Sequence, residues 1–145
     1  MATTNPKNTP HMRFDELLAR EKAVKPKKKQ GHQESDIQIS CVKWFKVQYP
    51  RYVIFAVPNG GTRDKKEMIW MLREGILPGA ADLCICADKG KILFIEMKTK
   101  TGKQNPNQVT FEKKVTELGF QYEVCRSLEN FMDTVNRWVK KVRWE

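Results

Sequence analysis

Pro78-Gly79-Ala80-Ala81-Asp82-Leu83-Cys84-Ile85-Cys86, followed after a short turn by Lys91-Ile92-Leu93-Phe94-Ile95-Glu96-Met97-Lys98, is the stretch that decides the fold. Asp88-Lys89-Gly90 between them is a turn signal flanked by apolar runs, so the spacing predicts a tight antiparallel pair of strands. Side chains alternate between the faces of a strand, so Glu96 and Lys98 point the same way and Asp82 can lie across from them. Two carboxylates that converge at a sheet edge can hold a hard divalent cation. Magnesium takes octahedral oxygen ligation and keeps several waters, which suits a pair of carboxylates plus a substrate phosphate. A neighbouring lysine can orient an attacking water or neutralise charge building on that phosphate. An acid and a lysine two apart are commonly just a solvated strand face. The context argues otherwise, because Ile92 to Ile95 form a continuous apolar run of the kind buried on both faces, and burying Glu96 beside it costs energy unless a cation or partner satisfies it.

Around this stretch, 145 residues offer room for one core and a tail. The formal net charge of +10 favours a polyanionic partner, since cations that meet phosphates release counterions. About half of that excess lies in residues 1–33, where eight Lys or Arg stand against three acids and Lys27-Lys28-Lys29 follows Pro26. This composition predicts a disordered basic leader, residues 1–33, ahead of a folded domain, residues 34–145. As a DNA-binding arm or as a solubilising leader it reads equally well. No apolar stretch approaches a membrane span and no secretory h-region opens the chain, so an intracellular protein is expected. Cys41, Cys84, Cys86 and Cys125 sit among apolar neighbours without zinc-type spacing and are expected to be buried filler. His11 and His32 are too isolated to serve as a general base.

Apolar spacing predicts a first helix over residues 34–48, with Ile37, Cys41, Trp44, Phe45 and Tyr49 on one side. Residues 51–57 read as a strand closed by Pro58-Asn59-Gly60-Gly61. Thr62 can cap a helix over residues 63–74 whose apolar side is Met68, Ile69, Met71 and Leu72, with Gly75 at its exit. After the hairpin comes a basic loop over residues 99–103, then Asn105-Pro106-Asn107-Gln108, a capping-box pattern with proline at the first helical position. Phe111, Val115 and Leu118 make the stripe of that helix, residues 120–126 a strand, and Ser127 caps a last helix bearing Leu128, Phe131, Val135, Trp138 and Val139. This order calls for an α/β sheet with helices on its faces. It carries neither a dinucleotide-binding G-x-G-x-x-G nor a G-x-x-x-x-G-K phosphate loop, so a Rossmann reading fails; the expected partner is a polyanion and no small-molecule substrate is expected.

With Asp82, Glu96 and Lys98 on adjoining strands behind a helix bearing Glu34, the chain resembles the PD-(D/E)XK nuclease superfamily. More specifically it resembles the virus-type replication-repair nuclease family, VRR-NUC, over about residues 34–130. The elements that carry the resemblance are Glu34-Ser35-Asp36-Ile37-Gln38, Pro58-Asn59-Gly60-Gly61 with Arg63, Glu74-Gly75-Ile76-Leu77-Pro78-Gly79-Ala80-Ala81-Asp82-Leu83, Phe94-Ile95-Glu96-Met97-Lys98, and Gln108. Each is weak alone; all five in order are specific. The resemblance implies a restriction-endonuclease-like core, a mixed central sheet flanked by helices, and a Mg²⁺ or Mn²⁺ cofactor.

The resemblance also assigns roles. Asp82, Glu96 and the main-chain carbonyl of Met97 would be metal ligands, Lys98 the catalytic lysine, Glu34 a further acid near the metals, and Gln108 a residue positioning the lysine or the scissile phosphate. Ala81 stands where the family expects proline, which implies a looser turn with activity retained. The residues themselves leave Glu34 readable as a helix-start acid and Gln108 as a cap alone. Asn59, Gly60, Arg63 and Lys65, with Lys100 and Lys103 in the basic loop, are the candidate DNA contacts, each readable also as turn or solvated surface. Short stand-alone members are typically viral homodimers acting on branched DNA such as four-way junctions. Longer relatives, among them the Fanconi-associated nuclease, embed the module among DNA-binding domains and cut flaps. The expectation is therefore a viral, dimeric junction-resolving endonuclease. A flap or single-strand nuclease, a non-catalytic DNA-binding module on the same fold and an RNA-directed nuclease are the alternatives.

Overall fold

The structure, a computed structural model, describes residues 33–58 and 64–145. The leader up to residue 32, and Asn59, Gly60, Gly61, Thr62 and Arg63, lie outside the described residues. The elements follow the order α1 (Gln33–Gln48), β1 (Val53–Ala56), α2 (Lys65–Arg73), β2 (Leu83–Cys86), a 3₁₀ turn (Asp88–Gly90), β3 (Ile92–Met97), α3 (Pro106–Glu117), β4 (Gln121–Cys125) and α4 (Leu128–Trp144). The four strands form one mixed sheet in the order β1-β2-β3-β4, with β1 and β3 antiparallel to β2 and β4 parallel to β3. The parallel pair needs a crossover, and α3 supplies it.

Alternation in β3 sorts its residues between two cores. Leu93, Ile95 and Met97 face one side, where they join Leu83 and Ile85 of β2 and Cys125 of β4 beneath α1 and α4. Cys41, Trp44 and Phe45 are the inward stripe of α1, and Phe131, Val135, Trp138, Val139 and Val142 that of α4. Phe94 faces the other side with Tyr122 and Val124, under Phe111 and Val115 of α3. A strand with apolar cover on both faces is what the unbroken Ile92–Ile95 run requires. Glu96 and Lys98 continue the Phe94 side, so the charged pair sits between the sheet and the start of α3.

Helix starts are fixed locally. Asn105 accepts from Gln108 N at 3.0 Å while Gln108 Oε1 accepts from Asn105 N at 2.9 Å, a complete capping box with Pro106 just inside it. Ser127 Oγ accepts from Asn130 N at 3.0 Å at the start of α4.

Four expectations need correction. Asp64, not Thr62, caps α2, its Oδ1 accepting from Glu67 N at 2.8 Å, because its carboxylate satisfies a first-turn N–H at the residue directly before the helix. No residue of α2 is buried by the described residues: Ile69, Trp70 and Leu72 are 56%, 59% and 44% exposed, and Met68 and Met71 are only partly covered. Leu118 is 76% exposed, because α3 ends there at its C-cap and only Phe111 and Val115 reach the sheet. Cys86 is only half-buried, lying opposite Val53 of the edge strand, itself exposed.

Gly79 locks the turn before Asp82 onto the start of α3. Its φ is +86°, a conformation side chains rarely adopt, and an added Cβ would lie 2.5 Å from the Asn107 carbonyl oxygen and 2.7 Å from its Cβ. Gly79→Ala is therefore expected to lower stability by roughly 1–3 kcal/mol, read in urea titrations; an unchanged midpoint would contradict this close packing.

Candidate active site

The hairpin register sets the two carboxylates against each other. Leu83 pairs with Ile95 across β2 and β3, and Ala56 pairs with Leu83 across β1 and β2. Val57 N donates to the Asp82 carbonyl at 2.9 Å, so Asp82 extends β2 by one residue. One step beyond the Leu83–Ile95 pair is Asp82 opposite Glu96, and directly opposed residues share a face. Asp82 Oδ2 accepts from Met97 N at 2.7 Å, which ties its side chain to the end of β3.

Glu96 is 1% exposed. Its Oε1 accepts from Gln108 Nε2 at 2.7 Å and lies 3.5 Å from Lys98 Nζ, while Oε2 accepts from the Tyr122 hydroxyl at 3.4 Å. Gln108 thus does two things at once, closing the α3 capping box through Oε1 and reaching Glu96 through Nε2. Its amide goes to Glu96 and not to Lys98. Lys98 is buried beside Glu96, and its N–H extends the β3–β4 pairing to the Cys125 carbonyl at 3.0 Å. Burial drives the Glu96 pKa up to about 8; the negative charge of Asp82 and a hydrogen bond between the two carboxyls add to the rise, and Lys98 opposes it. Burial and the like charge of Asp82 thus both work against an ionised Glu96.

That is the arrangement a hard divalent cation fits. Its positive charge would offset the repulsion between the two carboxylates, and the oxygen donors match magnesium or manganese better than softer metals. The side-chain donors are two, because among the described residues no three Asp, Glu, His or Cys side chains converge in a way that could hold a metal. Glu34 does not join Asp82 and Glu96. Its Oε1 accepts from Thr99 N at 3.4 Å, at the turn that follows Lys98. Met97 gives its N–H to Asp82, and its side chain lies in the core of the opposite face.

The turn after Lys98 is braced by a residue that the spacing did not single out. Arg126 Nη1 donates to the carbonyls of Thr99 at 2.8 Å and Gly102 at 2.7 Å. Lys100 and Lys103 project from this braced loop into solvent, and Lys65 is exposed at the first residue of α2. Gln104, Glu112 and Tyr122 were likewise unforeseen. Gln104 Nε2 donates to Glu112 Oε2 at 2.9 Å and to the Tyr122 hydroxyl at 3.1 Å. A tyrosine at an inward strand position signals a buried hydroxyl in search of a partner, but which partner depends on the β3–β4 register.

The family model of the VRR-NUC domain matches residues 32–129. The chain belongs to the VRR-NUC family. Solved structures agree in fold. A VRR-NUC domain protein is 21% identical, with 77% of this chain and 92% of that chain covered at a TM-score of 0.61. A second VRR-NUC domain is 18% identical, with 71% and 94% covered at a TM-score of 0.51. No curated protein matches the chain. Membership in VRR-NUC makes this a nuclease-type domain, with DNA as the implied partner. Among the described residues no helix is long and apolar enough to cross a membrane.

The raised Glu96 pKa has a sign that can be measured. A carboxyl whose folded pKa exceeds its unfolded value stabilises the fold fully below the unfolded value of about 4.5, and that contribution is lost as pH rises through about 8. In chelator, wild type is expected to lose thermal stability relative to Glu96→Gln across that window. Parallel melting curves for the two proteins would contradict the assignment.

Proposed function

We propose that this VRR-NUC protein is a divalent-cation-dependent, structure-selective DNA endonuclease that resolves four-way junctions as a homodimer, in keeping with a viral, intracellular enzyme. The observation that carries the reading is the opposed pair Asp82 and Glu96 with Lys98 3.5 Å from Glu96. Binding alone requires no acids aimed at phosphates, which disfavours a non-catalytic module on the same fold. Asp82, Glu96 and the Met97 carbonyl would hold Mg²⁺ or Mn²⁺. Such a cation supplies Lewis acidity at a phosphoryl oxygen and an acidified water. Lys98, desolvated and fixed beside Glu96, stabilises the charge that develops on the phosphate and orients the attacking water. Gln108 holds the Glu96 carboxylate from the start of α3, and Glu34 steadies the turn behind Lys98. Lys65, Lys100 and Lys103 meet the DNA backbone at solvent-exposed positions, with Asn59, Gly60 and Arg63 assigned to the same task and residues 1–33 as a basic arm.

The dimer reading rests on α2. Ile69, Trp70 and Leu72 are exposed on a helix with no buried residue among the described residues, and a two-fold copy would cover them. Two sites related by a two-fold axis also match the symmetry of a four-way junction.

Asp82→Ala and Glu96→Ala are expected to abolish junction cleavage in Mg²⁺ or Mn²⁺ while retaining fold and much of the DNA affinity. Lys98→Ala should cost on the order of 10²- to 10³-fold in rate. Labelled junctions, flaps and linear duplex, with light scattering on the same samples, make the test. Near-normal cleavage by all three variants would overturn the site, and a monomeric mass with undiminished junction cleavage would favour a flap or single-strand nuclease.

A further inference from the structure

Glu96 needs its carboxylate plane fixed as well as its position. The last torsion of a glutamate side chain is broad, so a single hydrogen bond leaves the plane free to turn about that contact. Gln108 Nε2 supplies one anchor, on Oε1 at 2.7 Å. Gln108 cannot turn away, because its Oε1 is engaged by Asn105 N at 2.9 Å.

The second anchor is set by a directional chain. A carboxylate only accepts, so the amide group of Gln104 that faces Glu112 at 2.9 Å is its nitrogen. The other N–H of that nitrogen goes to the Tyr122 hydroxyl at 3.1 Å. With an oxygen lone pair so occupied, the single phenolic proton is left to point at Glu96 Oε2, 3.4 Å away. The ring itself is held in the core against Phe111, with centroids 6.1 Å apart.

We infer that Tyr122, oriented by Gln104 and Glu112, is a positioning residue that sets the Glu96 carboxylate plane for cation binding. The inference rests on the proposed cation site. It assigns Tyr122 no contact with DNA and no proton transfer in the reaction. Removing a partner of this kind behind a ligand typically costs 10- to 100-fold in metal affinity.

The test uses the full chain, Mn²⁺ alone as probe, and calorimetry without DNA. Tyr122→Phe keeps the ring and removes the hydroxyl; it is expected to raise the Mn²⁺ dissociation constant about tenfold, with the melting temperature in chelator nearly unchanged. Gln104→Ala should act in the same direction, and the double variant should be no worse than Tyr122→Phe, because both act through one hydroxyl. In cleavage assays the Mn²⁺ concentration for half-maximal rate should rise while DNA affinity stays level. Wild-type Mn²⁺ affinity in Tyr122→Phe overturns the inference and leaves the site reading standing. Mn²⁺ binding in wild type that Asp82→Ala and Glu96→Ala do not weaken overturns the site reading, and the inference with it.

Discussion

A carboxylate removed from water is costly, and Glu96, 1% exposed, is the constraint around which this protein is arranged. The neighbouring elements together set what that burial costs. The hairpin brings Asp82, whose like charge raises the cost, and Lys98, which lowers it. The start of α3 brings Gln108, and β4 brings Tyr122. Burial and the Asp82 charge push the Glu96 pKa up, which ties the stability of the fold to pH at the site.

Much of this was legible in the sequence because it is local. The hairpin turn at Asp88-Lys89-Gly90, the alternation that puts Glu96 and Lys98 on one face, and the Asn105-Pro106-Asn107-Gln108 cap are each decided within a few residues. The two-sided burial of β3 was legible from its unbroken apolar run. What escaped depends on contacts between distant segments. Tyr122 meets Glu96 only because β4 joins β3 in parallel with Phe94 opposite Tyr122, a register that nothing within either strand specifies. The clasp of Arg126 on the 99–102 turn has the same origin. The apolar spacing of α2 predicted an inward face, yet period alone cannot say what that face meets, and the described residues bury none of it.

Gly79 couples these parts. The turn that delivers Asp82 packs on the backbone of Asn107, one residue before Gln108, so the acid on β2 and the amide that anchors Glu96 are positioned by the same contact. Ala81, where the resemblance led to an expected proline, is fully buried in the smaller core beside Val115 and Tyr122. Packing there restrains the turn that a proline ring would otherwise stiffen.

The central claim is that Asp82 and Glu96 form one cation site. Anomalous diffraction from Mn²⁺-soaked crystals measures it directly: a manganese peak in contact with both carboxylates is the predicted result. Manganese bound only elsewhere, with Asp82 and Glu96 still sharing a hydrogen bond at saturating Mn²⁺, would contradict it.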